Sequence, residues 1–150
     1  NMSVETTARL SEISNIIGVK DATGDLTIIK ELVKSCPEDF LLLTGDDATA
    51  LDFLLLGGHG GISVTANVTP KELQKVYMTA IAGNAEVARQ ANKELTNLHQ
   101  NLFLESNPIP VKWALHKMGL CSKGIRLPLL ELSSEFRPVI ENDLKELNLL

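Results

Sequence analysis

The sequence predicts an α/β protein with a parallel sheet, followed by a block of helices. Three observations predict it. Short apolar runs alternate with amphipathic stretches up to residue 69. Each run ends in a polar loop, three of them glycine-bearing or followed by a prolyl helix start, as buried parallel strands do. After Pro70 the alternation stops and only helical periodicity remains.

Residues 5–13 read as a helix, with Ala8, Leu10 and Ile13 apolar among polar neighbours. The run Ile16-Ile17-Gly18-Val19-Lys20 is the first strand, and Asp21-Ala22-Thr23-Gly24 is its loop. Residues 26–36 form an amphipathic helix with Ile28, Ile29, Leu32 and Val33 inward, closed by Pro37. Residues 40–44 are the second strand, and Gly45-Asp46-Asp47 is its loop. Asp47 is placed to cap a nearly all-apolar helix over 48–56, which Gly57 and Gly58 end. Residues 61–65 are the third strand, and Ala66-Asn67 opens its loop.

The tail reads as helices only. Pro70 starts one over 71–82, with Gly83 as its stop. Asn84 is placed to cap a long helix from 85 to about 104, broken by Pro108 and Pro110. Residues 111–118 form another, ended by Gly119; 124–128 are irregular; 131–147 form the last. No linker rich in Gly or Ser precedes the tail, so it is expected to pack on the α/β part. Three parallel strands make a poor sheet. A closed (β/α)8 barrel needs eight strands and typically about 250 residues. If the architecture is a barrel, this chain holds its last three strands and an appendage, with edges that need a partner.

Composition narrows the function. At 150 residues, with 44% apolar and 22% charged, the chain suits one ordinary globular domain. A net charge of −5, with no run of Lys or Arg, argues against a nucleic-acid partner. No stretch approaches the roughly 18 apolar residues of a membrane helix, and no signal peptide is visible. Cys36 and Cys121 lack metal spacing and suit a reducing compartment. The expected location is cytoplasmic. Asn1 is not a usual translation start; Met2 as initiator and a start inside a longer protein both stay open.

Lys20 is the leading candidate for chemistry. It stands where a strand stops and a loop begins. A lysine in apolar surroundings loses part of its preference for the charged form, so its amine can act as a nucleophile. The alternative is a lysine leaving the sheet for solvent. Gly45 reads either as a close backbone approach to substrate or as a turn with positive φ. Ile62 reads as a core strand residue. Gly57-Gly58-His59-Gly60-Gly61 precedes a strand, whereas phosphate cradles open a helix, so it is not read as one. His59, His99 and His116 share no metal spacing, and no metal is expected. Asp46 and Asp47 read as a cap and a solvated loop rather than a carboxylate pair. Trp113 reads as packed within the tail.

Three collinear blocks carry a family resemblance. Ile17-Gly18-Val19-Lys20-Asp21-Ala22-Thr23-Gly24 resembles the Schiff-base lysine motif of the pyruvate-dependent class I aldolases, the dihydrodipicolinate synthase/N-acetylneuraminate lyase family. The blocks at 44–47 with 57–67, and Asn107-Pro108-Ile109-Pro110-Val111-Lys112, resemble its synthase branch. The resemblance implies a TIM barrel with a C-terminal helical extension: residues 1–69 supply barrel strands six to eight, and 70–150 the last barrel helix and the extension.

The same resemblance implies that Lys20 condenses with pyruvate to an imine and then an enamine. The enamine attacks L-aspartate semialdehyde, giving hydroxy-tetrahydrodipicolinate, a precursor of diaminopimelate and lysine. It implies substrate contacts at Gly45 and at the Ile62 carbonyl, with no cofactor. It implies a homotetramer, a dimer of dimers, with Leu26, Thr27 and Leu56 near the surface joining the dimers; alone, Leu56 reads as core and Thr27 as a helix cap. The family's proton-relaying tyrosines, its carboxylate-binding arginine, the threonines that contact the pyruvate carboxylate and the residues of its lysine feedback site would precede Asn1, so the chain alone is expected to be inactive. Two other readings stand beside this one. One is a noncatalytic half-barrel that pairs with another chain. The other is a sugar-acid lyase such as N-acetylneuraminate lyase, disfavoured by the 44–47 and His59 blocks.

Overall fold

The computed structural model describes residues 1–150. Its elements run α1 (Val4–Ser11), β1 (Gly18–Asp21), α2 (Leu26–Ser35), β2 (Leu41–Thr44), α3 (Ala50–Leu55), β3 (Gly60–Gly61), α4 (Pro70–Ile81), α5 (Ala85–Lys93), α6 (Thr96–Asn101), α7 (Ile109–Lys117) and α8 (Arg137–Glu146). A single 3-10 turn, Thr65–Asn67, joins β3 to α4.

The strands pair in parallel in the order β1-β2-β3, with Lys20 opposite Leu43 and Leu43 opposite Gly60. Alternation along the strands divides the sheet's faces. Val19 and Leu42 face the helices and pack with Ile29, Leu32, Phe40 and Phe53. Fully burying a side chain such as Ile29 stabilises by about 1.5–3 kcal/mol. Lys20 and Leu43 take the other face, where Lys20 and Leu41 are exposed. Parallel sheets are ordinarily covered on both faces; this chain covers one.

Two further clusters complete the core. Leu51, Leu54, Leu73, Val76 and Leu95 join α3, α4 and α5. Leu98, Leu102, Trp113, Ile140 and Leu144 join α6, α7 and α8. Leu147 packs against both clusters, so the helices after Pro70 lie on the α/β layer. Trp113 is buried in the tail as expected, with the Lys117 amine 5.7 Å from its ring centre.

Several expectations are corrected. The third strand is Gly60–Gly61, not 61–65. The chain bends away because the Val64 and Thr65 N–H groups donate to the Asp47 side chain rather than to a strand. Ile62 is therefore no core residue; it is 54% exposed. Asp47 does not cap α3. Its neighbour Asp46 takes the Thr49 N–H at 3.0 Å and the Thr49 hydroxyl at 2.7 Å. Val33 points outward, 43% exposed, because only one stripe of α2 meets the sheet.

The helix expected from 85 to 104 is two helices, and the Asn84 side chain makes no cap bond. The Asn92 carbonyl accepts the Leu95 N–H at 3.0 Å and the Thr96 hydroxyl at 3.3 Å, which tightens the backbone there. The last helix starts at Arg137 rather than 131. The segment before it is held by side chains: Ser133 N–H donates to Glu105 Oε1, and Arg137 Nε–H to the Leu132 carbonyl. Asp25, not Thr27, caps α2, accepting the Thr27 N–H at 2.8 Å.

Asp143 on α8 is buried, with Oδ2 accepting from Asn101 Nδ2 at 2.8 Å. Burial raises its carboxyl pKa above 3.8; the Asn101 bond opposes this, and Glu146 adds to it. A raised acid binds its proton more tightly when folded, so its contribution to stability falls as pH rises past 3.8. Asp143→Asn keeps an oxygen for Asn101 and removes the buried acid. It is expected to raise the melting temperature at pH 7 and to leave it unchanged near pH 3.

Candidate active site

Lys20 is the penultimate residue of β1, at the carboxyl end of the strand. Sites on parallel sheets form at that end, where loops from several strands converge. An open cavity of about 430 Å³ lies there. Lys20, Gly45 and Ile62 all line it, one beside each strand end. Ser63, Val64 and Asn67 extend that wall, Phe103, Asn107 and Pro108 form a second, and Val111, Lys112 and Leu115 of α7 form a third. The structure thus brings the three residues singled out from sequence into one place.

The loop after Lys20 is locked locally. Asp21 Oδ1 accepts the Thr23 N–H at 3.1 Å and the Thr23 hydroxyl at 2.6 Å. Gly24 then turns with φ +71, against the Asp46 side chain. Lys20 is exposed on the sheet face. The apolar enclosure expected for it is not made by this chain, whose sheet is covered only on the opposite side.

Gly45 makes a close approach, to the Lys20 stem rather than to a substrate. Its φ is not among the positive ones. A Cβ there would overlap Lys20 Cε and stand 2.9 Å from Ala22 Cβ. The glycine is the gap through which the lysine stem passes. Gly45→Ala is expected to push that stem aside, slowing adduct formation at Lys20 by about tenfold, in line with small misplacements of reacting groups. Stopped-flow or timed trapping checks this; an unchanged rate would show that the stem is free to swing.

Ile62 hangs from the sheet by its N–H, which donates to the Thr44 carbonyl at 2.8 Å. Its own carbonyl accepts no backbone hydrogen bond within the chain. Beyond it, Asp47, 2% exposed, takes the N–H groups of Val64 at 2.9 Å and Thr65 at 3.0 Å on Oδ2. Thr65 Oγ1 meets His99 Nδ1 at 2.8 Å, and His99 Nε2 meets Asn92 Oδ1 at 3.3 Å. This buried chain ties the wall of the cavity to α5 and α6. Tyr77 stands beside Gly61, 2.6 Å from where a Cβ would be. Burial raises its phenol pKa above the ordinary 10, and Asp47 and Asp46 add to the rise, so it keeps its proton.

Burial lowers the His99 pKa below 6.5, against an upward pull from Asp47 and Asp46. A neutral ring with Nε2–H toward Asn92 leaves Nδ1 to accept the Thr65 hydroxyl proton. Below pH 6.5 the unfolded state takes up its proton first, so stability falls as pH drops through this window. Urea unfolding between pH 7 and 5 is expected to show this decline, and His99→Gln to flatten it. Hydrogen bonds from Thr27, Lys123 and Lys117 lower the pKa values of Asp25, Glu131 and Glu141, so what these exposed acids contribute is in place at neutral pH and is lost only at more acid pH.

Sequence reasoning missed Ser63, Asn67, Phe103 and Lys112 as wall residues, and the Asp47–Thr65–His99 chain. Ser63, Asn67 and Lys112 lay inside motif blocks, but nothing distinguished wall from filler. His59 braces the sheet instead of binding a ligand: its Nδ1 accepts the Leu42 N–H at 3.0 Å. Leu56 packs on the sheet-side core, as its unaided reading had it. No three His, Cys, Asp or Glu residues stand as a metal site, and no helix is long and apolar enough to cross a membrane.

Comparison with known proteins places this geometry. A model of the dihydrodipicolinate synthetase family matches residues 1–147. The 4-hydroxy-tetrahydrodipicolinate synthase of Ruthia magnifica is 55% identical over the whole chain, which covers 51% of that protein. The corresponding Pseudomonas aeruginosa protein is 50% identical, again over the whole chain and 51% of the relative. The structure superposes with a TM-score of 0.97 on the chloride-inhibited dihydrodipicolinate synthase of Acinetobacter baumannii complexed with pyruvate, at 47% identity, covering 100% of this chain and 52% of that one. The Thermotoga maritima dihydrodipicolinate synthase gives a TM-score of 0.96 at 37% identity, with 52% of it covered. The chain spans about half the length of the curated relatives it matches.

Proposed function

This chain belongs to the dihydrodipicolinate synthetase family, and from that premise we propose that it is the lysine-bearing half of a 4-hydroxy-tetrahydrodipicolinate synthase. In this reading residues 1–69 are the last three strands of the barrel, and 70–150 the last barrel helix and a C-terminal extension. Its substrates are pyruvate and L-aspartate semialdehyde, and it works as a homotetramer. The A. baumannii relative, described as complexed with pyruvate, supports the first substrate.

An amine attacks through its unprotonated lone pair. Lys20 Nζ adds to the C2 carbonyl of pyruvate, and the hydroxyl so formed leaves as water, giving an imine. The imine withdraws electrons, so the methyl carbon loses a proton and an enamine results. That carbon attacks the aldehyde carbon of the semialdehyde. The semialdehyde's amino group then adds to the imine carbon and expels Lys20 Nζ, closing the ring and restoring the free amine. Gly45 gives the stem its path. The free Ile62 carbonyl serves as a backbone acceptor on the same wall. The enclosure that a reactive lysine needs, and the groups that move protons, come from the rest of the barrel.

One observation carries this reading: a lysine at a strand end, its stem threaded past a glycine, sharing a cavity with an unpaired carbonyl. The test is borohydride reduction with pyruvate followed by peptide mapping. It is run on the chain alone and on the chain mixed with the preceding half of the R. magnifica relative. A reduced adduct on the Lys20 peptide is expected in the mixture and at most a trace in the chain alone. A folded mixture with no adduct at Lys20 would overturn the proposal.

A further inference from the structure

His99 is a buried titratable group that the chemistry at Lys20 leaves unused. It sits on α6, 3% exposed, between the buried Leu98 and Leu102 in sequence. A leucine would fill such a space. An imidazole costs free energy there unless its nitrogens are bonded, and both are. Nδ1 meets Thr65 Oγ1 at 2.8 Å and Nε2 meets Asn92 Oδ1 at 3.3 Å. Burial holds the ring neutral, so it offers an acceptor at one edge and a donor at the other.

Thr65 shows what that bond reaches. It is fully buried, and all its polar atoms are engaged. Its N–H donates to Asp47 Oδ2 at 3.0 Å, and its carbonyl accepts the N–H groups of Val68 at 2.9 Å and Thr69 at 3.0 Å. The turn around it carries Ile62, Ser63, Val64 and Asn67, one wall of the Lys20 cavity. Its other hydrogen bonds stay inside the turn or run to Thr44 and Asp47. Thr65–His99 is therefore the one hydrogen bond that ties this wall to the helical tail. The second wall, Phe103, Asn107 and Pro108, lies on the segment that leaves α6 after His99. His99 thus stands at the root of one wall and holds the other.

We propose that His99 is a positioning residue for the chemistry at Lys20: through Thr65 it fixes the spacing between the wall bearing the Ile62 carbonyl and the wall that follows α6. This rests on the reading of Lys20 as an imine-forming amine. His99 lines neither wall, so it touches no substrate and moves no proton in the reaction.

The experiment separates position from fold. Borohydride trapping with pyruvate is timed on the chain mixed with the preceding half of the R. magnifica relative, over a range of pyruvate concentrations. The rate constant reports geometry at Lys20; the final amplitude counts assembled sites. Thr65→Val removes the hydroxyl at nearly constant volume. It is expected to lower the rate constant at saturating pyruvate about fivefold, the scale of a small misplacement of reacting groups. The amplitude should be retained, and the half-saturating pyruvate concentration should stay within about twofold of the parent. Thr65→Ser keeps the hydroxyl and should restore the rate. His99→Leu should slow the reaction to a similar degree, and the double variant should be no slower than either single one. That double variant leaves neither partner orphaned, so it keeps the test decisive where a single variant folds poorly. Ile140→Val, in the tail core, should leave the rate constant unchanged.

An unchanged rate constant in Thr65→Val and in the double variant would overturn the proposal, even with reduced amplitudes; that pattern marks a histidine that only fills the core. So would losses that multiply in the double variant. A parent mixture with no adduct at Lys20 would overturn the reading of Lys20 and this inference with it. A parent adduct formed at the same rate in every variant would overturn this inference alone.

Discussion

Lys20→Arg is expected to abolish the borohydride-stable pyruvate adduct while changing the stability of the chain by no more than about 0.5 kcal/mol. Arginine keeps the positive charge and a long stem. Its guanidinium stays protonated and offers no nucleophilic amine. The parent side chain is exposed and takes part in no ion pair, so the substitution breaks nothing in the fold. The variant thus separates charge from nucleophilicity, with the trapping done on the chain completed by the preceding half of a relative. Lys112→Arg, by contrast, should keep the adduct. An adduct surviving in Lys20→Arg, mapped to another lysine, would mean that the cavity is real but the reacting amine was misassigned.

The alternation of strands and helices was legible because it is written locally. The runs ending at Lys20 and Thr44 are short, apolar and punctuated, and they pair as parallel strands. The third run misled because Gly61-Ile62-Ser63-Val64-Thr65 has the composition of a strand. What ends the strand is Asp47, 17 and 18 residues earlier in the chain. No local pattern contains that bond. The same aspartate looked like a helix cap, but α3 starts after Thr49 without a side-chain cap, and it is Asp46 that holds the turn before it through Thr49; an offset of this kind is decided by backbone geometry rather than composition. The break at Leu95 falls among good helix formers and is set by Asn92 and Thr96.

The site divides in the same way. Lys20 was legible from its motif. The reason for Gly45 was not, because a turn and a close approach call for the same residue, and only the position of the lysine stem decides between them. Lys112 was invisible as a wall residue until α7 was seen to fold back over the strand ends. Its motif stated that it was there, and the tertiary packing stated what it faces.

Asp47→Ala is expected to cost roughly 2–4 kcal/mol, about 1–3 kcal/mol for leaving the buried Thr65 N–H unsatisfied and less for the half-buried Val64 N–H. Thr65 is fully buried, so water cannot readily replace the lost oxygen. The damage should be directional. The N–H groups of Val64 and Thr65 should lose protection from hydrogen exchange, while the β1–β2 ladder keeps its own. Ile62 and Ser63 would then sit on a loosened turn, so adduct formation in the completed barrel should slow beyond what global instability explains. Asp47→Asn separates the causes. Its amide oxygen still accepts both N–H groups, and Oδ1, which has no partner in the chain, is the position the amide nitrogen would take. It should therefore retain most of the exchange protection at Val64 and Thr65. If those amides stay protected in Asp47→Ala as well, the turn is held by the Thr65–His99 contact instead, and His99→Gln should be the variant that releases it.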